Sequence, residues 1–162
     1  MRSISSAVLA CCVLGISSAA FAAGGGGGGG MDSTPPKAVD PNFGQAKALI
    51  EARNYAPALP LLQQVVAKDP KNADAYNLLG YATRKSGDPN GSLQYYNRAL
   101  QIDPKHLGAH EYAGEAYLML DQPQQAEQYL ARLNSLCVFG CTEYRMLKAA
   151  ITGYKAGKKP TN

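Results

Sequence analysis

The stretch that decides the fold runs from Ala73 to Pro104 and reads ADAYNLLGYATRKSGDPNGSLQYYNRALQIDP. Apolar residues recur at helical spacing in both of its halves. Between the halves, Ser86-Gly87-Asp88-Pro89 offers a glycine suited to a left-handed C-terminal cap, an aspartate suited to an N-cap and a proline suited to a first helical turn. The stretch therefore predicts two antiparallel helices joined by a tight turn.

The two predicted helices each have one apolar face. The first helix carries Tyr76, Leu79 and Thr83 on that face, and Gly80 is expected to let a neighbouring helix approach closely. The second helix presents four residues to the same core: Leu93, Tyr96, Ala99 and Leu100. A single helical hairpin cannot bury both of its faces, so it is expected to stack against further hairpins.

The pattern recurs along the chain at an offset of 34 residues. Ala46, Gly80 and Gly114 are spaced by this offset, and Asp69-Pro70 recurs as Asp103-Pro104. Several positions that agree at one period indicate a repeat protein, and a pair of helices is the unit that fits about 34 residues.

These residues resemble the tetratricopeptide repeat family. The second repeat matches the family's aromatic, Leu, Gly, small, aromatic, Ala and Pro positions with Tyr76, Leu79, Gly80, Ser92, Tyr96, Ala99 and Pro104. The third keeps Gly114, Tyr117 and Ala126, and the first keeps Leu49, Ala58 and Pro70. The resemblance implies an all-α fold, a right-handed α-solenoid of three helix-turn-helix repeats over residues 41–138, with boundaries at about 39–72, 73–106 and 107–138. Pro60 lies within the second helix of the first repeat and is expected to kink it or delay its start.

The segment after the third repeat predicts a cap. Cys137-Val138-Phe139-Gly140-Cys141 precedes a helix with one apolar stripe, formed by Tyr144, Leu147, Ile151 and Tyr154. We therefore expect a C-terminal capping helix over residues 139–156 and a frayed basic tail over residues 157–162. For the two cysteines we favour a structural disulfide that fixes the angle between the last repeat and the cap, over packed free thiols or a metal or redox role.

The N-terminal residues predict export from a bacterial cytoplasm. Arg2 precedes an apolar stretch and the small-residue site Ala20-Phe21-Ala22, which is typical of a secretory signal peptide over residues 1–22 that is cleaved near Ala22. Residues 23–40, which include seven consecutive glycines, predict a Gly-rich flexible linker. We expect a periplasmic protein of exported bacterial type, with the extracellular space as an alternative and no stable membrane insertion after signal removal.

Composition and motifs exclude several functions. Hydrophobic residues make up 46% of the chain, too many for a disordered protein. The net charge is +4, but between residues 41 and 154 eleven basic residues stand against ten acidic ones, which does not support nucleic acid as a partner. The chain carries no P-loop, dinucleotide fingerprint or catalytic constellation, so we expect no enzymatic activity and no cofactor.

An alternative function uses the histidines. His106 and His110 are four residues apart, a possible metal-ligand spacing, and with Cys137 and Cys141 they could serve a metal or redox accessory protein. His110, however, takes the place of Tyr76 one repeat later, so we interpret it as a packing residue and predict no metal site.

The favoured function is a non-enzymatic adapter that binds a protein or peptide. The family resemblance implies that the fifth, ninth and twelfth positions of each repeat line a concave groove. These residues are Phe43, Lys47, Ile50, Asn77, Tyr81, Arg84, Glu111, Glu115 and Leu118. We expect an extended peptide or a partner helix to lie along them. The sequence leaves the identity of the partner and the oligomeric state open.

Overall fold

A computed structural model of the chain describes residues 40–161. The predicted signal peptide at 1–22 and the linker before Asp40 lie outside the described residues. Seven α-helices occupy the described part: α1 (Pro41–Glu51), α2 (Tyr55–Lys68), α3 (Ala73–Lys85), α4 (Pro89–Ile102), α5 (Leu107–Met119), α6 (Pro123–Leu136) and α7 (Thr142–Lys155). Residues 40–161 contain no strand, so the all-α prediction is confirmed.

The helices follow the 34-residue period of the sequence. The second helices of the three hairpins, α2, α4 and α6, begin at residues 55, 89 and 123 and end at residues 68, 102 and 136. Because α2 begins at Tyr55 in the same register as the other two, Pro60 does not delay its start. The period therefore describes helix boundaries as well as residue types.

Helix ends form where the turn residues predict them. Gly87 adopts a φ of 101°, which a residue with a Cβ rarely adopts, directly after α3. Asp88 then caps α4, because its Oδ1 accepts a hydrogen bond of 2.7 Å from the backbone N–H of Gly91. Asn72 caps α3 in the same way through Ala75. The predicted turn at Ser86–Pro89 is confirmed.

The hairpins stack as an α-solenoid. Helices α1 and α2, α3 and α4, and α5 and α6 pair as antiparallel neighbours, and each pair packs on the next. Within the second pair, Tyr96 is fully buried, and a Cβ added at Gly80 would lie 2.5 Å from the Cε1 atom of Tyr96. The expected close approach at Gly80 is therefore confirmed, and it is the tyrosine ring that occupies the space.

Helix α7 packs against both α5 and α6. The buried side chain of Leu147 lies so close to Gly114 on α5 that an added Cβ would come within 2.6 Å of its Cδ2 atom. The turn before α7 is closed by the disulfide between Cys137 and Cys141, whose Cα atoms lie 5.5 Å apart. The last hairpin and the final helix are thus joined by both packing and a covalent bond.

The basic tail contacts the solenoid. Lys159 Nζ lies 2.5 Å from Asp121 Oδ2, at the end of α5, and the Tyr154 hydroxyl donates to the other oxygen of the same carboxylate at 3.1 Å. These two contacts lower the pKa of Asp121. Farther along, the carbonyl oxygen of Thr161 accepts a hydrogen bond of 3.5 Å from Lys85 on α3. The tail therefore lies across the ends of α5 and α3, where we had expected it to fray.

None of the helices in residues 40–161 has the length and apolar character that a membrane span requires.

Candidate partner-binding groove

The nine predicted groove residues lie on α1, α3 and α5, the first helices of the three hairpins. Their accessibility divides them into two groups. The accessible or half-buried residues are Phe43, Lys47, Ile50, Tyr81 and Glu115. The buried residues are Asn77, Arg84, Glu111 and Leu118. The surface open to a partner is therefore smaller than the sequence indicated.

Arg84 is used inside the solenoid. Its Nη2 atom lies 2.7 Å from Oε2 of Glu115, and its Nε donates to the hydroxyl of Tyr96 at 3.4 Å. Burial by itself would lower the pKa of Arg84, but Tyr96 and Glu115 outweigh burial and raise it. Arg84, one of the nine predicted groove residues, thus connects the second and third repeats.

Leu118 is buried for a different reason. It belongs to a cluster with Leu147 and Ile151, which α7 contributes. Because α7 packs against α5, its apolar stripe contacts the face on which Leu118 lies. The sequence predicted the capping helix, but not that it would cover this predicted groove residue.

Tyr81 is at the centre of an aromatic cluster. Its ring centroid lies 6.0 Å from that of Tyr55 on α2 and 4.9 Å from that of Tyr112 on α5. The guanidinium carbon of Arg84 lies 5.5 Å from the Tyr81 centroid and 5.6 Å from the Tyr112 centroid, within the range of cation–π attraction. Burial is the main cause that raises the pKa of Tyr81, and it raises that of Tyr112 to about 12.

Sequence reasoning missed two members of this cluster, Tyr55 and Tyr112. Neither stands at a fifth, ninth or twelfth position of a repeat, and both reach Tyr81 from other helices. Their aromatic character was the available signal, but only the packing of α2 and α5 against α3 brings the three rings together.

Glu111 and Asn77 are buried acceptors. Glu111 Oε1 and Asn77 Oδ1 have no hydrogen-bond partner among the described residues. Burial, followed by the charges of Glu115 and Glu143, raises the pKa of Glu111 to about 8, while Arg84 acts in the opposite direction. A carboxyl group with such a pKa is largely protonated at pH 7.

The residues of the alternative metal or redox function are engaged elsewhere. His106 caps α5, since its Nδ1 accepts from the backbone N–H of Ala109, and its Nε2 lies 3.1 Å from Asp74 Oδ1. His110 Nε2 donates to the Pro104 carbonyl at 3.0 Å, and its ring packs near that of Tyr129. Within residues 40–161, no three His, Cys, Asp or Glu side chains are grouped as a metal site requires.

A second surface feature lies at the turn before α7. The side chains of Val138 and Phe139 are 84% and 99% exposed within the loop that the disulfide closes. They form a small apolar tip separate from the nine predicted groove residues.

Comparison with family models gives the family of the chain. Two models, both described as tetratricopeptide repeat, match residues 43–106 and 83–151, which together span about two thirds of the 162 residues. The chain belongs to the tetratricopeptide repeat family. The repeats found in the sequence and the helical hairpins of the structure are the repeats of this family.

A curated relative of this tetratricopeptide repeat protein is cellulose synthase operon protein C of Escherichia coli (strain K12). It is 29% identical over 106 residues, which cover 55% of this chain and 9% of the relative. The chain therefore spans less than a tenth of the relative's length.

Solved structures share the fold. MamA 41-end from Desulfovibrio magneticus RS-1 is 26% identical with a TM-score of 0.57, covering 59% of this chain and 54% of that one. YrrB, titled a TPR protein with an unusual peptide-binding site, has 19% identity, a TM-score of 0.62 and coverage of 68% and 55%. PcrH in complex with the chaperone binding region of PopD has 18% identity, a TM-score of 0.64 and coverage of 72% and 90%. The last two similarities are evidence of the fold alone.

Proposed function

We propose that this tetratricopeptide repeat protein is a non-enzymatic adapter of the bacterial periplasm that binds an extended peptide or a partner helix in its concave groove. The observation that carries the proposal is the placement of Tyr81, a half-exposed aromatic side chain held between Tyr55, Tyr112 and Arg84. A large aromatic side chain that is already fixed loses little entropy on binding, and such residues dominate the energy of many interfaces.

The likeness to other solenoids supports this use of the groove. YrrB is titled as having a peptide-binding site, and PcrH was solved with a region of PopD. We transfer from them only the class of ligand, a peptide segment. The accessible predicted groove residues offer both apolar contact, from the partly buried Phe43 and Ile50, and charge, from Lys47 and Glu115.

The proposed location rests on the sequence of residues 1–22 and on the cysteine pair. Disulfides persist in oxidising compartments such as the periplasm, and the chain joins Cys137 to Cys141. N-terminal sequencing of the protein purified from its bacterial source should find a chain that starts near Ala23. A chain that still begins with Met1 would contradict the proposed export.

The proposed groove is tested by capture from a periplasmic extract with three forms of the protein. Wild type and Phe139→Ser should recover the same partner, and Tyr81→Ala should not, although circular dichroism shows that it is folded. Loss of the partner with Phe139→Ser and retention with Tyr81→Ala would place binding at the apolar tip and contradict the proposal.

A further inference from the structure

Two acceptor atoms in the groove lack donors, as noted above: Asn77 Oδ1 and Glu111 Oε1. Asn77 is only 7% exposed and Glu111 only 3%. A buried polar atom left without a hydrogen bond costs about 1–3 kcal/mol, and native proteins retain few of them. Two such atoms on helices of one predicted groove need an explanation, because residues 40–161 supply neither of them with a hydrogen-bond donor.

The two acceptors occupy equivalent places in successive repeats. The Asn77 side-chain nitrogen lies 3.3 Å from the point that a Cβ of Gly108 would take, and Gly108 is the second residue of α5. Glu111 interacts with Glu143, which is the second residue of α7. Asn77 therefore lies where α3 meets the start of α5, and Glu111 lies where α5 meets the start of α7.

The charge around Glu111 is unbalanced. The carboxyl groups of Glu115 and Glu143 act on Glu111, and the cation that opposes them is Arg84. The guanidinium of Arg84 is already paired with Glu115 at 2.7 Å. Glu111 and Glu143 therefore have no ion pair within residues 40–161, and the raised pKa of Glu111 is consistent with this imbalance.

Two lysines of the described residues, Lys85 and Lys159, are engaged with other groups. Lys85 Nζ bonds to the carbonyl of Thr161 and lies 5.9 Å from the centroid of the Tyr81 ring, and Lys159 pairs with Asp121. No ion pair of Glu111 occurs within residues 40–161. The described part of the chain therefore supplies no ion-pair partner to Glu111.

We propose that the groove accepts a basic side chain, a lysine or an arginine of the bound segment, which displaces the side chains that bury Glu111 Oε1 and donates a hydrogen bond to it, while other donors of the segment reach Asn77 Oδ1. The inference rests on the proposed peptide binding and names its specificity. An ammonium or guanidinium group has donors and positive charge but no acceptor, so it complements two orphaned acceptors in an acidic surrounding. It also makes Glu111 ionise on binding, because a nearby cation favours the charged carboxylate.

The test selects peptides from a phage-displayed library of random 12-residue sequences on the purified protein. Peptides whose binding is abolished by Tyr81→Ala are the groove binders, and they should share a lysine or arginine. Glu111→Gln should weaken them at least tenfold, whereas Glu51→Gln, which removes an exposed carboxylate at the end of α1, should not. Replacing the shared basic residue of the peptide by glutamine should cost little further affinity once Glu111 is already glutamine.

Calorimetry supplies a readout that a merely structural role of Glu111 would not change. At pH 7, titrations in buffers of different ionisation enthalpy should reveal release of nearly one proton per bound peptide with wild type and none with Glu111→Gln. Groove binders without a basic residue, or binders unaffected by Glu111→Gln, would overturn the inference and leave the proposed function standing. If no selected peptide depends on Tyr81, the proposed groove itself fails, and the inference fails with it.

Discussion

Arg84 and Glu115 form an ion pair across the boundary between the second and third repeats, with Nη2 and Oε2 2.7 Å apart and side chains only 2% and 20% exposed. A buried charge is tolerated when it is paired and hydrogen-bonded, and here Tyr96 supplies the additional bond. The pair therefore ties two repeats together and fixes the position of the Tyr81 ring beside it.

Removal of the arginine should destabilise the solenoid strongly. Arg84→Ala leaves Glu115 without its partner and opens a space beside the buried Tyr96, so the free energy of unfolding should fall by about 3–5 kcal/mol in urea titrations. Arg98→Ala, which removes an exposed arginine from α4, is the control and should cost less than about 1 kcal/mol. Equal losses for the two variants would contradict the structural role of the pair.

Gly80→Ala tests the close approach of α3 and α4. The added methyl group would meet the ring of the buried Tyr96, so we expect a loss of about 1–3 kcal/mol by overpacking in spite of the better helix propensity of alanine. Gly44→Ala is the matched control on α1, where no atom lies within 4 Å of the new Cβ, and it should stabilise by up to about 1 kcal/mol. Thermal unfolding of both variants measures the difference. A stabilised Gly80→Ala variant would contradict the packing.

Glu111 should make stability depend on pH. Its folded pKa of about 8 lies above its ordinary value of 4.5, so the folded state retains a proton that the unfolded chain releases. Stability should therefore fall as the pH rises from about 4.5 to 8, with a slope of up to about 1.4 kcal/mol per pH unit from this group.

Urea titrations of wild type and Glu111→Gln between pH 5 and 8 measure that slope. The difference between the two proteins isolates Glu111 from His110, whose pKa is lowered by burial and whose contribution is instead lost as the pH falls below 6.5. Glu111→Gln should be more stable than wild type at pH 8. The difference between their free energies of unfolding should be larger at pH 8 than at pH 5. A difference that stays constant with pH would show that Glu111 is ionised throughout.

The disulfide should stabilise the attachment of α7. Replacing both Cys137 and Cys141 by serine opens the short loop that the disulfide closes. Because the unfolded chain is then less constrained, the free energy of unfolding should fall by about 2 kcal/mol. Phe139→Ser in the same loop should change stability by less than about 0.5 kcal/mol, because its side chain makes almost no contact. Mass spectrometry of the unreduced protein should find Cys137 joined to Cys141, and free thiols at these two positions would contradict the oxidised turn.

Local signals in the sequence were sufficient for most of the fold. The turn at Gly87 depends on backbone conformation, and the small residue at Gly80 depends on a contact within one hairpin. The 34-residue family pattern encodes both features. The candidate site depends on contacts between hairpins, and these were predictable only in part. The ion pair of Arg84 with Glu115 and the covering of Leu118 by α7 arise from how successive helices pack, so two residues expected in an open groove are buried.

The most direct test of the central claim, that the concave groove binds a peptide, is NMR chemical-shift mapping. A peptide selected on the purified protein is titrated into the ¹⁵N-labelled chain, and amide shifts are followed for every helix. We predict the largest shifts on α3 and α5 around Tyr81 and Glu115, with little change on α4 and α6, the second helices of their hairpins. Shifts confined to Val138 and Phe139, or to α4 and α6, would contradict the account.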